Sequence, residues 1–159
     1  MFKVLSVIHK NFNVQKSLSG EEKLIDLAKK KLLRQWIIGK SKENDIIITN
    51  GAKAALYCVF KVIANKQKKN NFGIINPNWP TYIDLIKISG AKPVFFNTNI
   101  ENKYDINIKN LEKFIEKKKL RILVISNPNN PSGKIYNYKI IKKIIDICKK
   151  NKCYLVLDE

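Results

Sequence analysis

Apolar positions along the chain alternate between two periods. From Gly20 to Ile38, Leu24, Leu27, Ala28, Leu32 and Trp36 recur at helical spacing, with acids in the first turn and bases behind them, as a helix dipole favours. Gly39 stops this helix. Asp45–Thr49 carries Ile46, Ile47 and Ile48, a short β-branched run apolar on both faces, which predicts a fully buried strand. Ala52–Ala64 returns to a helical stripe through Leu56, Val59, Phe60 and Ile63. The same alternation predicts strands at Phe72–Ile75, Lys92–Asn97, Arg121–Ser126 and Cys153–Leu157. It predicts helices near Thr81–Ser89, Ile108–Lys118 and Tyr138–Asn151, the last two turning Leu111, Phe114 and Ile115, and Ile141, Ile144, Ile145 and Cys148 inward.

Short strands separated by helical patterns, without hairpin signals, predict an α/β fold: a three-layer α/β/α arrangement around a mostly parallel sheet. No internal repeat or Gly/Ser linker divides the chain. Residues 1–19 read as an N-terminal extension and residues 20–159 as one layered architecture.

In a parallel sheet the carboxyl ends of the strands line one edge, and ligands bind in the crevice there. Four unusual segments are expected at that edge: Thr49–Lys53, Asn76–Trp79, Ser126–Gly133 and Asp158-Glu159. Gly51 between strand and helix lets the amides of Ala52 and Lys53 face an anion such as phosphate; an ordinary turn capped by Asn50 reads equally well. Trp79, between Pro77 and Pro80, either offers an aromatic face to a flat ring or caps the core. Asn127 to Gly133, with three Asn and two Pro, is a rigid turn holding amide side chains at fixed angles. Asp158 ends a strand expected to be central, where a carboxylate needs a cation or donor unless it faces solvent. No GxGxxG or Walker pattern supports a dinucleotide or nucleoside triphosphate.

Composition narrows this further. With 159 residues, 45% hydrophobic, the chain can bury a core and is not a disordered tail. Its 31 basic against 13 acidic residues give a net charge of +18, which would ordinarily suggest nucleic acid. Arg occurs only at Arg34 and Arg121, however, and Lys, Ile and Asn are over-used together, so compositional drift explains the charge better than a phosphate-reading surface. Nucleic acid is therefore not an expected partner. Three cysteines without CxxC argue against a disulfide framework and for a reducing, cytoplasmic compartment, with Cys58, Cys148 and Cys153 read as buried small hydrophobes. The single histidine, His9, leaves no zinc site and no Ser/His/Asp set. No apolar run approaches a membrane span, and the acid-free first twenty residues lack the Arg of an import signal.

The segments ITNGAKAAL, NPNWPTY with SGAKPV, ISNPNNPSGKIY and YLVLDE, in this order, resemble the class I/II aminotransferases, closest to the aspartate and aromatic group. These are fold type I enzymes that use pyridoxal 5′-phosphate. The resemblance covers Gly20 to Glu159, and NPNNPSG followed by a strand ending in Asp-Glu is its most specific part, with Ser132 where Thr is usual. It implies that Gly51, Ala52 and Lys53 cradle the cofactor phosphate, Trp79 stacks on its ring, Asn130 donates to the 3′ oxygen and Asp158 pairs with the ring nitrogen. It further implies amino acid and 2-oxo acid substrates and a homodimeric parent. The lysine that attaches the cofactor, the arginine that grips the substrate carboxylate and the small domain lie, in the family, past the Asp-Glu motif. The tyrosine that members carry just before the glycine matching Gly20 has no counterpart in Asn13–Ser19. The chain thus reads as a partial large domain, with no catalytic residue assigned and turnover not expected from it alone. The competing readings are an inactive remnant or half of a split gene, another enzyme of the same fold type such as a lyase or decarboxylase, and a Lys-rich nucleic-acid binder.

Overall fold

A computed structural model describes residues 2–4, 22–27, 46–65 and 70–159. The chain divides into two compact units, Met1–Leu5 with Leu56–Glu159, and Ser6–Ala55.

The larger unit is built on a five-stranded, all-parallel sheet. Its strands are β1 (Phe2–Val4), β2 (Asn71–Asn76), β3 (Lys92–Asn97), β4 (Leu120–Ser126) and β5 (Tyr154–Asp158), in the spatial order β1-β5-β4-β2-β3. β2, β4 and β5 are interior, and their runs Phe72–Ile75, Ile122–Ser126 and Leu155–Leu157 are buried throughout. The edge strand β3 instead leaves Lys92, Phe95 and Asn97 exposed. Burial on both faces selects continuous apolar runs, whereas an edge tolerates alternation.

Three helices return the chain between strands: α3 (Thr81–Ile88), α4 (Ile108–Lys118) and α5 (Tyr138–Lys150). The step from β2 to β3 runs opposite to the steps from β3 to β4 and from β4 to β5. Right-handed crossovers therefore put α3 on one face and α4 with α5 on the other. Lys150 Nζ meets Glu112 Oε1 at 2.8 Å between α4 and α5. Asn107 and Asn137 cap these two helices, their Oδ1 atoms accepting from the amides of Asn110 (3.0 Å) and Ile140 (3.1 Å). Gly90, at φ +87°, turns the chain out of α3 toward β3. Helix α2 (Gly51–Ala64) sets Phe60 edge-on against Phe72 of β2, ring centroids 5.7 Å apart. The α/β class, the parallel sheet and the layered order match the expectation from the sequence, with strand and helix ends displaced by at most one residue in this unit.

Several local expectations are corrected. β1 was not foreseen, because three residues are too short to display a period; its pairing with β5 (Phe2 opposite Val156) defines it. Ile46–Thr49 forms no strand, and Ile47 is 68% exposed: a β-branched run suits a pleated surface but becomes a strand only where a partner strand hydrogen-bonds to it. In the smaller unit the helix described over residues 22–27, α1, buries Ile25 and leaves Leu27 exposed, because its apolar arc is wider than the face it buries. The rest of the Gly20–Ile38 helix, and residues 5–19 of the expected N-terminal extension, lie outside the described residues. Cys58 is exposed on α2, while Cys148 and Cys153 are buried as expected. On α5, Ile147 rather than Ile145 joins Ile141, Ile144 and Cys148 in the core. Among the described residues no helix is long and apolar enough to cross a membrane.

Candidate functional site

Strand order places a topological switch point between β2 and β4. From β2 the chain departs toward β3, from β4 toward β5, so the chain leaves their carboxyl ends in opposite directions, the place at which open parallel sheets bind ligands in a crevice. Asn76 to Pro80 follows β2, Ser126 to Gly133 follows β4, and Asp158 ends β5 in register with Ser126.

The three strand ends are joined by specific bonds. Asn127 donates its backbone amide to the Asp158 carbonyl (2.8 Å). Asn129, 4% exposed, donates Nδ2 to the carbonyl of Pro77 (3.1 Å), tying the loop after β4 to the loop after β2. The Tyr82 hydroxyl, at the start of α3, donates to Asp158 Oδ2 at 2.5 Å. The Trp79 ring stands edge-on to Tyr82, centroids 5.5 Å apart at 87°, so Trp79, Tyr82 and Asp158 form one continuous cluster.

The asparagine-rich turn divides its labour. Asn127 is consumed by Tyr136, accepting from its amide (2.8 Å) and donating to its carbonyl (3.1 Å). Asn129 accepts the Ser132 hydroxyl (2.6 Å) as well as holding Pro77. The Ser132 hydroxyl thus performs an internal bond that a threonine hydroxyl would also make, which accounts for the replacement. Asn130 is fixed through its backbone amide, which donates to Ser126 Oγ (3.1 Å). Its side chain is exposed and makes no hydrogen bond among the described residues, so of the three asparagines only Asn130 keeps its amide group for something else. Asn78 carries a buried Oδ1 without a partner among the described residues, an acceptor left unmet beside Trp79.

Burial raises the Asp158 carboxyl above the ordinary aspartate value, and the Tyr82 hydrogen bond pulls it part of the way back. Burial, and next the carboxylate itself, drive the Tyr82 hydroxyl far above the usual tyrosine range, so it stays a donor at every working pH. The arrangement presents a half-buried carboxylate, an aromatic pair and one uncommitted amide at the carboxyl edge of the sheet.

Of the residues expected to form the site, Trp79 and Asp158 are brought into one cluster, and Asn130 stands at the same sheet edge. Gly51, Ala52 and Lys53 open α2, with Gly51 at φ +84° and Lys53 exposed. Tyr82 was not anticipated; Ser126 and Asn129 lie in a segment expected at this edge but were assigned no role of their own. The signal for Tyr82 was present as an aromatic pair three residues apart at a helix start, where side chains share a face.

The family model for aminotransferase class I and II matches residues 8–159. The chain is 32% identical over 118 residues to the aspartate aminotransferase of Bacillus subtilis (strain 168), covering 74% of this chain and 29% of that protein. Among solved structures it superposes on the Thermus thermophilus aspartate aminotransferase with maleate at a TM-score of 0.80 (23% identity; 89% of this chain, 36% of that one). The Pyrococcus horikoshii OT3 aromatic aminotransferase matches at a TM-score of 0.80 (24% identity; 92% and 38%). The chain therefore spans roughly a third of the length of these relatives. A common sheet, a match over nearly its whole length and curated relatives above 30% identity converge, and the chain belongs to the class I and II aminotransferase family.

Proposed function

We propose that this chain is the cofactor-binding part of the large domain of a pyridoxal-phosphate aminotransferase, whose parent reaction moves an amino group from an aspartate-like or aromatic amino acid to a 2-oxo acid. The observation that carries the reading is Asp158, a carboxylate held half-buried at the end of an interior strand by the Tyr82 hydroxyl. A carboxylate in such a place lowers stability unless a positively charged partner joins it, and a protonated ring nitrogen is such a partner.

The residues fit the group. When bound, pyridoxal phosphate supplies the electron sink that transamination requires. Asp158 would hold the ring nitrogen protonated. Trp79, anchored edge-on by Tyr82, would cover one ring face and exclude water from it. Asn130, its side chain uncommitted, would donate to the 3′ oxygen. Gly51, Ala52 and Lys53 are assigned the phosphate, chiefly through the first backbone amides of α2, the Gly51 amide also meeting the Thr49 carbonyl (2.8 Å). The whole protein is proposed to be a homodimer, as the family resemblance implies, and cytoplasmic, as its cysteine usage suggests.

Because Lys is so abundant, an aldehyde would label the surface indiscriminately, so the test uses pyridoxine 5′-phosphate, which keeps the ring, nitrogen, 3′ oxygen and phosphate but not the aldehyde. Calorimetric titration of the full chain is expected to show one saturable site. Asp158→Ala should weaken it by about tenfold or more through loss of a charge-assisted bond, and Asn130→Ala by a smaller factor. Binding indifferent to both substitutions would defeat the assignment.

A further inference from the structure

The opposite rim of the sheet carries a second concavity, at the amino ends of β2 and β4 and in the turn before β5. It is a cleft of about 720 Å³ floored by Ile115 and Leu120. Lys117, Lys118, Lys119, Arg121 and Lys152 line it, against a single carboxylate, Glu116. Among the described residues none of these five cations forms an ion pair, and Glu116 is already approached by Lys150, at 4.0 Å.

Helix ends do not account for this charge. α4 and α5 both terminate at the cleft, and bases there ordinarily complement the helix dipole. Here most of the terminal carbonyls already have donors. The Lys119 amide bonds Glu116 and Ile115, Asn71 Nδ2 bonds the Lys118 carbonyl (2.6 Å), Asn151 Nδ2 bonds that of Ile147 (3.0 Å), and the Lys152 amide bonds Lys149 (3.1 Å). Counting about half a negative charge for each helix end, and one for Glu116, five cations still leave a surplus of roughly three.

Two further features point to a ligand. Arg121 is one of only two arginines in a chain otherwise drifted to lysine. Its guanidinium lies 5.7 Å from the Tyr154 ring centroid, which orients the fork, and its Nε is buried with no hydrogen-bond partner among the described residues. We propose that this cleft is a binding site for a multiply charged anion of the phosphate type, with Arg121 as the planar, bidentate reader and the lysines as point charges around it. The site is independent of the crevice described above: β2 alone, from Asn71 to Asn76, separates the two rims by roughly 16 Å.

The test is titration of the full chain with sodium tripolyphosphate at constant ionic strength, followed by calorimetry and by amide chemical shifts. One equivalent should bind, perturbing Asn71, Lys117 to Arg121 and Asn151-Lys152. The triple substitution Lys117→Gln, Lys118→Gln, Arg121→Gln should weaken binding by about tenfold or more, because it removes a fork and two charges. Lys139→Gln, Lys142→Gln, Lys143→Gln lowers the net charge equally on the amino half of α5 and should change it by less than about twofold, since distant surface charges are screened. The proposal is overturned if the two triple variants weaken binding alike, if the shifts scatter over the surface, or if tripolyphosphate binds no better than orthophosphate. Duplex DNA that perturbs the same amides and binds more tightly than tripolyphosphate would also overturn it, reassigning the cleft to a polymer backbone. The shift map needs no variant and stands even if a substitution impairs folding.

Discussion

At Asp158 two opposing effects meet, burial that disfavours the carboxylate and a Tyr82 hydroxyl that supports it. Burial prevails, so the folded-state value lies above the ordinary 3.8. Between those two values the folded chain binds more protons than the unfolded one. Stability therefore falls as pH rises through that window, and the penalty persists at neutral pH. Asp158→Asn is accordingly expected to raise the melting temperature at pH 7, with the gain shrinking as pH is lowered toward 4; an equal loss at both values would contradict this. Tyr82→Phe removes the donor. It should push the Asp158 carboxyl still higher in a ¹³C-detected titration and destabilise the chain by about 1.5–3 kcal/mol, the worth of a hydrogen bond to a charged group. An unmoved Asp158 titration would show that Tyr82 contributes packing alone.

Among the elements, β2 and β4 approach most demandingly at Gly73. A Cβ there would lie 2.4 Å from Leu120 Cδ1 and 3.3 Å from Leu123 Cδ1, and both leucines are buried. Leu120 borders the cleft at the amino ends of the strands and its methyl can turn aside, whereas Leu123 must yield by a few tenths of an ångström, so Gly73→Ala should destabilise by about 1 kcal/mol, the low end of overpacking costs, in urea unfolding. Adding Leu120→Val, which deletes the clashing methyl, should recover part of that loss. Strict additivity of the two substitutions would place the strain elsewhere. This contact matters for the site because β2 and β4 flank the switch point, and a shift between them would separate the Pro77 carbonyl from Asn129.

For the molecule as a whole, the charge of +18 remains to be placed. Most of it is lysine scattered along the chain, and dispersed lysines attract a polyanion without reading it. Duplex DNA is therefore expected to bind weakly, without sequence preference, and to be released as salt is raised from about 50 to 200 mM, through loss of counterion release. A fluorescence-anisotropy titration at the two salt concentrations checks this. Binding retained at the higher salt would favour nucleic acid as a true partner.

The layered α/β class and most of the elements were legible in the chain because their causes are local. An interior strand needs a continuous apolar run, a helix an apolar stripe, and Asn and Gly mark the points where each begins or ends. The motifs at the strand ends were legible for the same reason, being contiguous. Tertiary structure decided what depends on partners distant in sequence. It recruited Phe2–Val4 as a strand through β5 and left Ile46–Thr49 out of any strand. It spent Asn127 and Asn129 on the scaffold while leaving Asn130 available, and it brought Tyr82 across 76 positions to Asp158. Pairing, burial and the donors a buried carboxylate finds are properties of neighbours in space, and a period along the chain carries no information about them.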